Sequence, residues 1–149
     1  MYTFKKSESA NIQASKDGFI RYVYESEKGE MHSLFIGQVI ALFGIPDEMN
    51  NDYENIFNLD VIGENDRGEK FYFTIYHGSG GPTIAGYVDD LENKMAADEL
   101  ITLIKNAKPA DYKWKGIYHD IPVKIKMGVK NGEPYYKSSF SILGVLGII

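Results

Sequence analysis

Apolar and polar positions repeat with two different periods along this chain. From Met31 to Phe43 apolar residues fall at 31, 35, 39 and 42, with Leu34, Ile36, Ile40 and Phe43 beside them, which is the spacing of a helix. Gly44 offers a C-terminal cap and Pro46 forbids continuation, so the helix is predicted to end there. A second helical stretch runs from about residue 91 to 107, with Ala96, Leu100, Leu103, Ile104 and Ala107 as its buried stripe and Lys108-Pro109 as its stop. Between the helices the period drops to two. Phe57, Leu59 and Val61 alternate with Asn58, Asp60 and Ile62, and Phe71, Phe73 and Ile75 with Tyr72, Thr74 and Tyr76. That predicts a hairpin of strands 56–63 and 71–77, joined across Glu64-Asn65-Asp66-Arg67-Gly68-Glu69, with one apolar face and one tyrosine-rich face.

Strand signals also occupy both ends. Ile12 and Ala14 precede a Lys16-Asp17-Gly18 turn and the β-favouring run 19–24, which predicts an N-terminal hairpin. The stretches 112–118, 123–130 and 135–141, the last two joined by Asn131-Gly132, predict a meander. A glycine-rich loop, Gly78-Ser79-Gly80-Gly81-Pro82, and a short strand 83–88 fill the middle, and the apolar tail 140–149 is expected to close the core as a last strand. Connections are too short for repeated βαβ crossovers. The expected fold is one α+β domain over residues 1–149, a largely antiparallel sheet with two helices packed on one face.

With 149 residues and 44% hydrophobic content, the chain is large enough to bury roughly 70% of its unfolded surface. It has no cysteine, which excludes disulfides, thiolate nucleophiles and sulfur-ligated zinc. Its first residues run into the polar stretch Ser7-Glu8-Ser9, without the apolar core of a secretory signal, and the tail is about half the length of a membrane span. A cytoplasmic protein without membrane attachment is the expectation.

The net charge of −5 is a local feature. Between Ile45 and Lys70, eight carboxylates face only Arg67, leaving that stretch at −7 and the remainder at +2. The centre of the stretch, from Asp47 to Glu54, reads as an exposed loop beyond a capped helix, too long to be a tight turn. Carboxylates interleaved with tyrosine suit encounter with a basic protein surface. The candidate partner-binding residues are therefore Asp47, Glu48, Asp52, Tyr53 and Glu54, with Glu64 and Asp66 on the neighbouring hairpin loop and Tyr72 and Tyr76 on its exposed face.

Catalytic and cofactor patterns are weaker. The 78–82 loop has small residues that would let backbone amides approach an anion, yet no Lys-Ser or Lys-Thr pair follows it and the next helix begins some ten residues on. Ser79, an acid such as Asp89, Asp98 or Asp111, and His119 run in the order of an α/β-hydrolase triad, but position 77 is histidine where a nucleophile elbow needs glycine. His32, His77 and His119 have no short ligand spacing, and the acids do not follow the EF-hand pattern, so neither a metal nor a cofactor is expected. Lys113, Lys115, Lys124, Lys126, Lys130 and Lys137 stand among aromatics, but their two-residue spacing is that of a solvated strand face, so direct nucleic-acid binding is not expected. A binding role ranks above catalysis. The alternative is a small hydrolase or ligand-binding protein using residues 78–82 with His77, Ser79 and His119.

The stretches Leu42-Phe43-Gly44-Ile45-Pro46, Asp52-Tyr53-Glu54-Asn55 and Tyr76-His77-Gly78-Ser79-Gly80-Gly81-Pro82 give the middle third of the chain a look that resembles small bacterial immunity proteins of polymorphic or contact-dependent toxin systems. The resemblance implies a non-enzymatic cytoplasmic inhibitor that occupies one cognate toxin domain, often a nuclease with a basic cleft. It carries over no family binding residue.

Overall fold

The computed structural model describes residues 1–7, 19–23, 31–47, 49–78, 81–87 and 91–140. Along them run β1 (Thr3–Lys6), β2 (Phe19–Val23), α1 (Met31–Phe43), β3 (Asn55–Glu64), β4 (Lys70–Gly78), β5 (Gly81–Tyr87), α2 (Leu91–Asn106), β6 (Tyr112–Tyr118), β7 (Val123–Lys130) and β8 (Glu133–Phe140). This is an α+β fold, and every strand pair in it is antiparallel. The strands divide between two sheets rather than one: a five-stranded sheet in the order β1-β3-β4-β5-β2 and a three-stranded sheet β6-β7-β8.

The period-two pattern sets the register of the long hairpin. Leu59 opposes Ile75 and Val61 opposes Phe73, so the buried side chains of β3 and β4 stack on one face, while Asn58 and Tyr76, and Ile62 and Tyr72, pair on the other. The loop expected at residues 78–82 is largely strand. Gly78 pairs with Gly81 at the end of β4 and β5, leaving only residues 79 and 80 as the connection. β2 lies at the far edge of the first sheet against β5, and the first arm of the expected N-terminal hairpin falls outside the described residues, as does the tail 141–149. In the second sheet Asn131 (φ 53°) and Gly132 (φ 78°) form the turn between β7 and β8 that two left-handed residues allow.

α1 lies between the sheets. It touches α2 and β5 on one side and β7 and β8 on the other, which is why Ser33 and every residue from Phe35 to Ile40 are buried rather than one stripe. Gly37 permits the closest approach: a Cβ there would sit 3.0 Å from the Ala110 carbonyl oxygen, Pro109 and Val129 at once. The Gly37 carbonyl accepts the Ala110 amide at 2.9 Å, and the Gln38 amide nitrogen donates to the Lys105 and Ala107 carbonyls at the end of α2. α1 ends as expected, with Gly44 at φ 82° returning its amide to Ile40. α2 buries Asn93, Ala96, Ala97, Leu100 and Ile104, and Leu103 is 40% exposed because it lies off that stripe, contrary to the sequence reading. Among the described residues no helix is long and apolar enough to cross a membrane.

Replacing Gln38 by leucine removes both hydrogen bonds to the end of α2 from a buried position. The expected outcome is a loss of about 1–3 kcal/mol in denaturant unfolding, with an unchanged m-value.

Candidate functional site

After α1 the chain turns into the segment that carries the candidate acidic loop. Asp47 is drawn aside at once, its carboxylate 2.7 Å from the Lys6 ammonium of β1. Glu48 lies outside the described residues. From Met49 onward the backbone is fixed at both edges. The Asn50 amide donates to Ile56 at 2.7 Å and the Trp114 indole N–H donates to the Asn50 carbonyl at 2.6 Å. The Ile117 amide donates to Asn51 at 2.9 Å, and Tyr53 donates back to Ile117 at 3.1 Å. Asp52 thus runs alongside Ile117 of β6 in a short parallel bridge. Its own carboxylate accepts the Glu54 amide at 2.9 Å, a local turn that aspartate favours. Of the described residues in the loop expected to be exposed, Asp47, Asn51 and Glu54 are exposed and Met49, Asn50, Asp52 and Tyr53 are half-buried; the backbone of residues 50–54 is an added rung on the second sheet.

Tyr53 is the ring on which this docking closes. It packs against Trp114 (centroids 6.1 Å apart), Tyr118 (5.7 Å) and His77 (6.3 Å). Burial, reinforced by the neighbouring Tyr136 and Tyr118 hydroxyls, holds its phenol far above the ordinary tyrosine range, so it remains protonated. Two glycines make room for the segment: a Cβ on Gly78 would strike the Glu54 carbonyl, and one on Gly116 would strike the Trp114 ring and the Asn51 carbonyl. This gives the glycine at position 78 a steric role independent of any bound anion.

The structure separates the carboxylates that the sequence groups together. β3 runs ten residues from Asn55 to Glu64, so Asp52 and Glu54 at one end lie about 30 Å from Glu64 and Asp66 at the other. At the far end the hairpin tip is internally compensated. Arg67 donates to Glu69 at 2.6 Å and to Glu92 of α2 at 2.7 Å, and Asp66 lies 3.7 Å from the N-terminal ammonium. Hydrogen bonds from Asn65 and Arg67 hold the Glu69 carboxyl below its usual range. Tyr72 and Tyr76 stand between the two ends on the outer face of the first sheet, Tyr72 exposed and Tyr76 half-buried.

At the near end a different set meets. Glu54 is brought to Asp120, which the chain separates by 66 positions, with Asp52 and Tyr118 beside them. Partial desolvation, then the Asp120 and Asp52 charges, raise the Glu54 carboxyl above its ordinary value, with His119 opposing weakly. None of these three acids forms a salt bridge among the described residues. Asp120 and Tyr118 carried no signal of their own in the sequence, because the β6–β7 turn comes next to residues 52–54 only through the bridge to Ile117.

Two of the three histidines meet and the third stands apart. His32, near the start of α1, lies with Nδ1 2.7 Å from His77 Nε2, so one ring donates and the other accepts. That spacing is shorter than the edge of about 3.3 Å implied by tetrahedral zinc with Zn–N near 2.05 Å. Among the described residues no group of three potential ligands forms. His77 is fully buried and its Nδ1 has no hydrogen-bond partner among the described residues; burial first, and His32 second, lower its pKa to about 3. Burial lowers His32 as well. His119 is exposed and lines a groove with Asp52 and Asn51, and Ser79 lies outside the described residues.

Comparison with known protein families, with curated proteins and with solved structures returns no match for this chain.

Because folded His77 binds a proton less readily than the unfolded chain does, the unfolded state takes up more protons between about pH 6.5 and 3. Stability is therefore at its full value above pH 6.5 and declines as pH falls towards 3, by up to about 1.4 kcal/mol per unit for this group. Thermal midpoints measured from pH 7.5 to pH 5.5, above the main carboxylate range, are expected to fall in the parent protein and to fall less in His77→Leu.

Proposed function

We propose that this chain is a non-enzymatic binding protein of the immunity type, which neutralises a basic protein, a toxin domain in the reading that the resemblance favours. The observation that carries the reading is the convergence of Asp52, Glu54 and Asp120 at the rim of the two sheets, with no cation paired to them among the described residues. Carboxylates held against one another repel, and an arginine or lysine from a partner relieves that repulsion while making charge-assisted hydrogen bonds. Tyr118 supplies a ring beside them, and the docked backbone of residues 50–54 keeps the group in place before a partner arrives. Of the residues first considered for partner contact, Asp52 and Glu54 belong to this site, Tyr53 supports it from within, and Glu64 and Asp66 would meet only a partner that spans the length of β3. The absence of cysteine fits a cytoplasmic setting.

Asp52→Asn combined with Glu54→Lys and Asp120→Lys keeps the Asp52 turn acceptor while inverting the charge of the rim. A basic protein captured from the source lysate by the parent chain is expected to associate more slowly as salt rises, and to bind the triple variant at least tenfold more weakly, with the melting midpoint retained. Equal affinity for parent and variant would place the partner elsewhere. Inhibition that survives Ser79→Ala with His119→Ala separates this role from hydrolysis.

A further inference from the structure

The outer face of the second sheet is a lysine lattice. Alternation along β6, β7 and β8 turns Trp114, Ile125, Met127 and Val129 inward and leaves Lys113, Lys115, Lys124, Lys126, Lys130 and Lys137 outward, all exposed. Register makes the arrangement closer than the sequence shows: Lys115 pairs with Lys126 and Lys126 with Lys137, so three ammonium-bearing side chains stand in one row across the sheet. Neighbouring strands are about 4.8 Å apart and alternate residues about 6.7 Å apart, which sets a grid of positive charge. Like charges directly opposite one another weaken a sheet, and none of these six lysines forms a salt bridge among the described residues. A face that only needed to stay soluble would intersperse both signs. Here Glu133 is the one acid at an outward strand position.

The row forms part of a groove of about 1090 Å³, which also includes Lys124, His119, Ser139 and Ile117, with Asp52 at its rim. Tyr135 lies on the same face in the adjoining row, paired with Gly128 and in line with Lys113, its hydroxyl end close to where a Cβ on Gly128 would sit. An array of cations with hydroxyls, an aliphatic side chain and one tyrosine ring matches a flexible chain of phosphates whose bases need apolar surface. Trp114 and Tyr112 are turned inward, so affinity must rest on phosphate contacts more than on stacking. Against the expectation from spacing alone, and because register aligns three of the lysines in one row, we propose that the outer face of β6-β7-β8 is a docking surface for single-stranded nucleic acid, held through its phosphates by Lys115, Lys126 and Lys137. The surface adjoins the carboxylate site at Asp52, which lines the same groove, but differs from it in charge and in partner, and it does not depend on the inhibitor reading.

The test is fluorescence polarisation with a labelled twenty-nucleotide oligothymidylate across a salt series. The intact protein is expected to bind at low salt, with log K falling against log salt at a slope of about −2, the value for three phosphates on a single strand. Lys115→Ser/Lys126→Ser/Lys137→Ser is expected to lose at least tenfold in affinity and most of that slope, and the corresponding arginine variant to retain both. A control lacking Lys70, Lys94 and Lys108 is expected to bind as the parent does. Because the triple variant removes a row of like charges, its melting midpoint should equal or exceed that of the parent, so lost binding cannot be attributed to unfolding. Failure of the parent to bind, equal binding by the triple variant, or displacement of the oligonucleotide by polyglutamate at equal charge concentration would overturn the proposal, the last by assigning the face to an acidic protein.

Discussion

Two sheets that share no strand must be joined by something other than a ladder, and here the join is the backbone of residues 50–54. Five peptide units leaving a capped helix carry amides and carbonyls that need partners, because an unpaired backbone group shielded from water costs as much as a lost hydrogen bond. Asn50 bonds to Ile56 and receives the Trp114 indole, while Asn51 and Tyr53 exchange bonds with Ile117. The Tyr53 ring then fills the space between His77 of the first sheet and Trp114 and Tyr118 of the second. The burial of Tyr53, the absence of a side chain at Gly78 and Gly116, and the gathering of Asp52, Glu54 and Asp120 all follow from this contact.

Helix α1 makes the second connection. Packed between α2 and β5 on one side and β7 and β8 on the other, it is buried nearly all round, and its polar residues serve the join. Ser33 donates to the Tyr135 carbonyl, its own carbonyl accepts the Tyr112 hydroxyl, and Gln38 reaches the end of α2. Buried polar groups of this kind carry direction as well as energy, since each must face a partner at hydrogen-bonding distance to be satisfied.

Charge is divided between the halves of the molecule. From Tyr112 to Phe140 six lysines face Asp120 and Glu133, a net of +4 within a chain of −5 overall. Fields of opposite sign attract groups of opposite charge, and both are screened over about 8–10 Å at physiological salt. The acidic hairpin tip contributes less than its composition implies, because Arg67 is clamped between Glu69 and Glu92.

Local patterns were sufficient for much of the fold. The helix 31–43 with its Gly44 cap, the β3–β4 hairpin and the Asn131-Gly132 turn depend on spacing and on left-handed glycine geometry within a few residues, and so they are legible in the sequence. The α+β class follows from the order of those elements. What the sequence could not provide was any relation set by distant pairing. The split into two sheets, the shift of the buried stripe on α2 away from Leu103, and the meeting of His32 with His77 each depend on which faces pack together. The acidic stretch shows the limit most clearly. Its charge is plain in the sequence, but a ten-residue strand carries its members about 30 Å apart, while a single bridge brings Asp120 to Glu54 across 66 positions. Side-chain chemistry and local conformation belong to the sequence; the tertiary structure alone decided which charges share a surface, because proximity there is set by strand register and sheet packing rather than by separation along the chain.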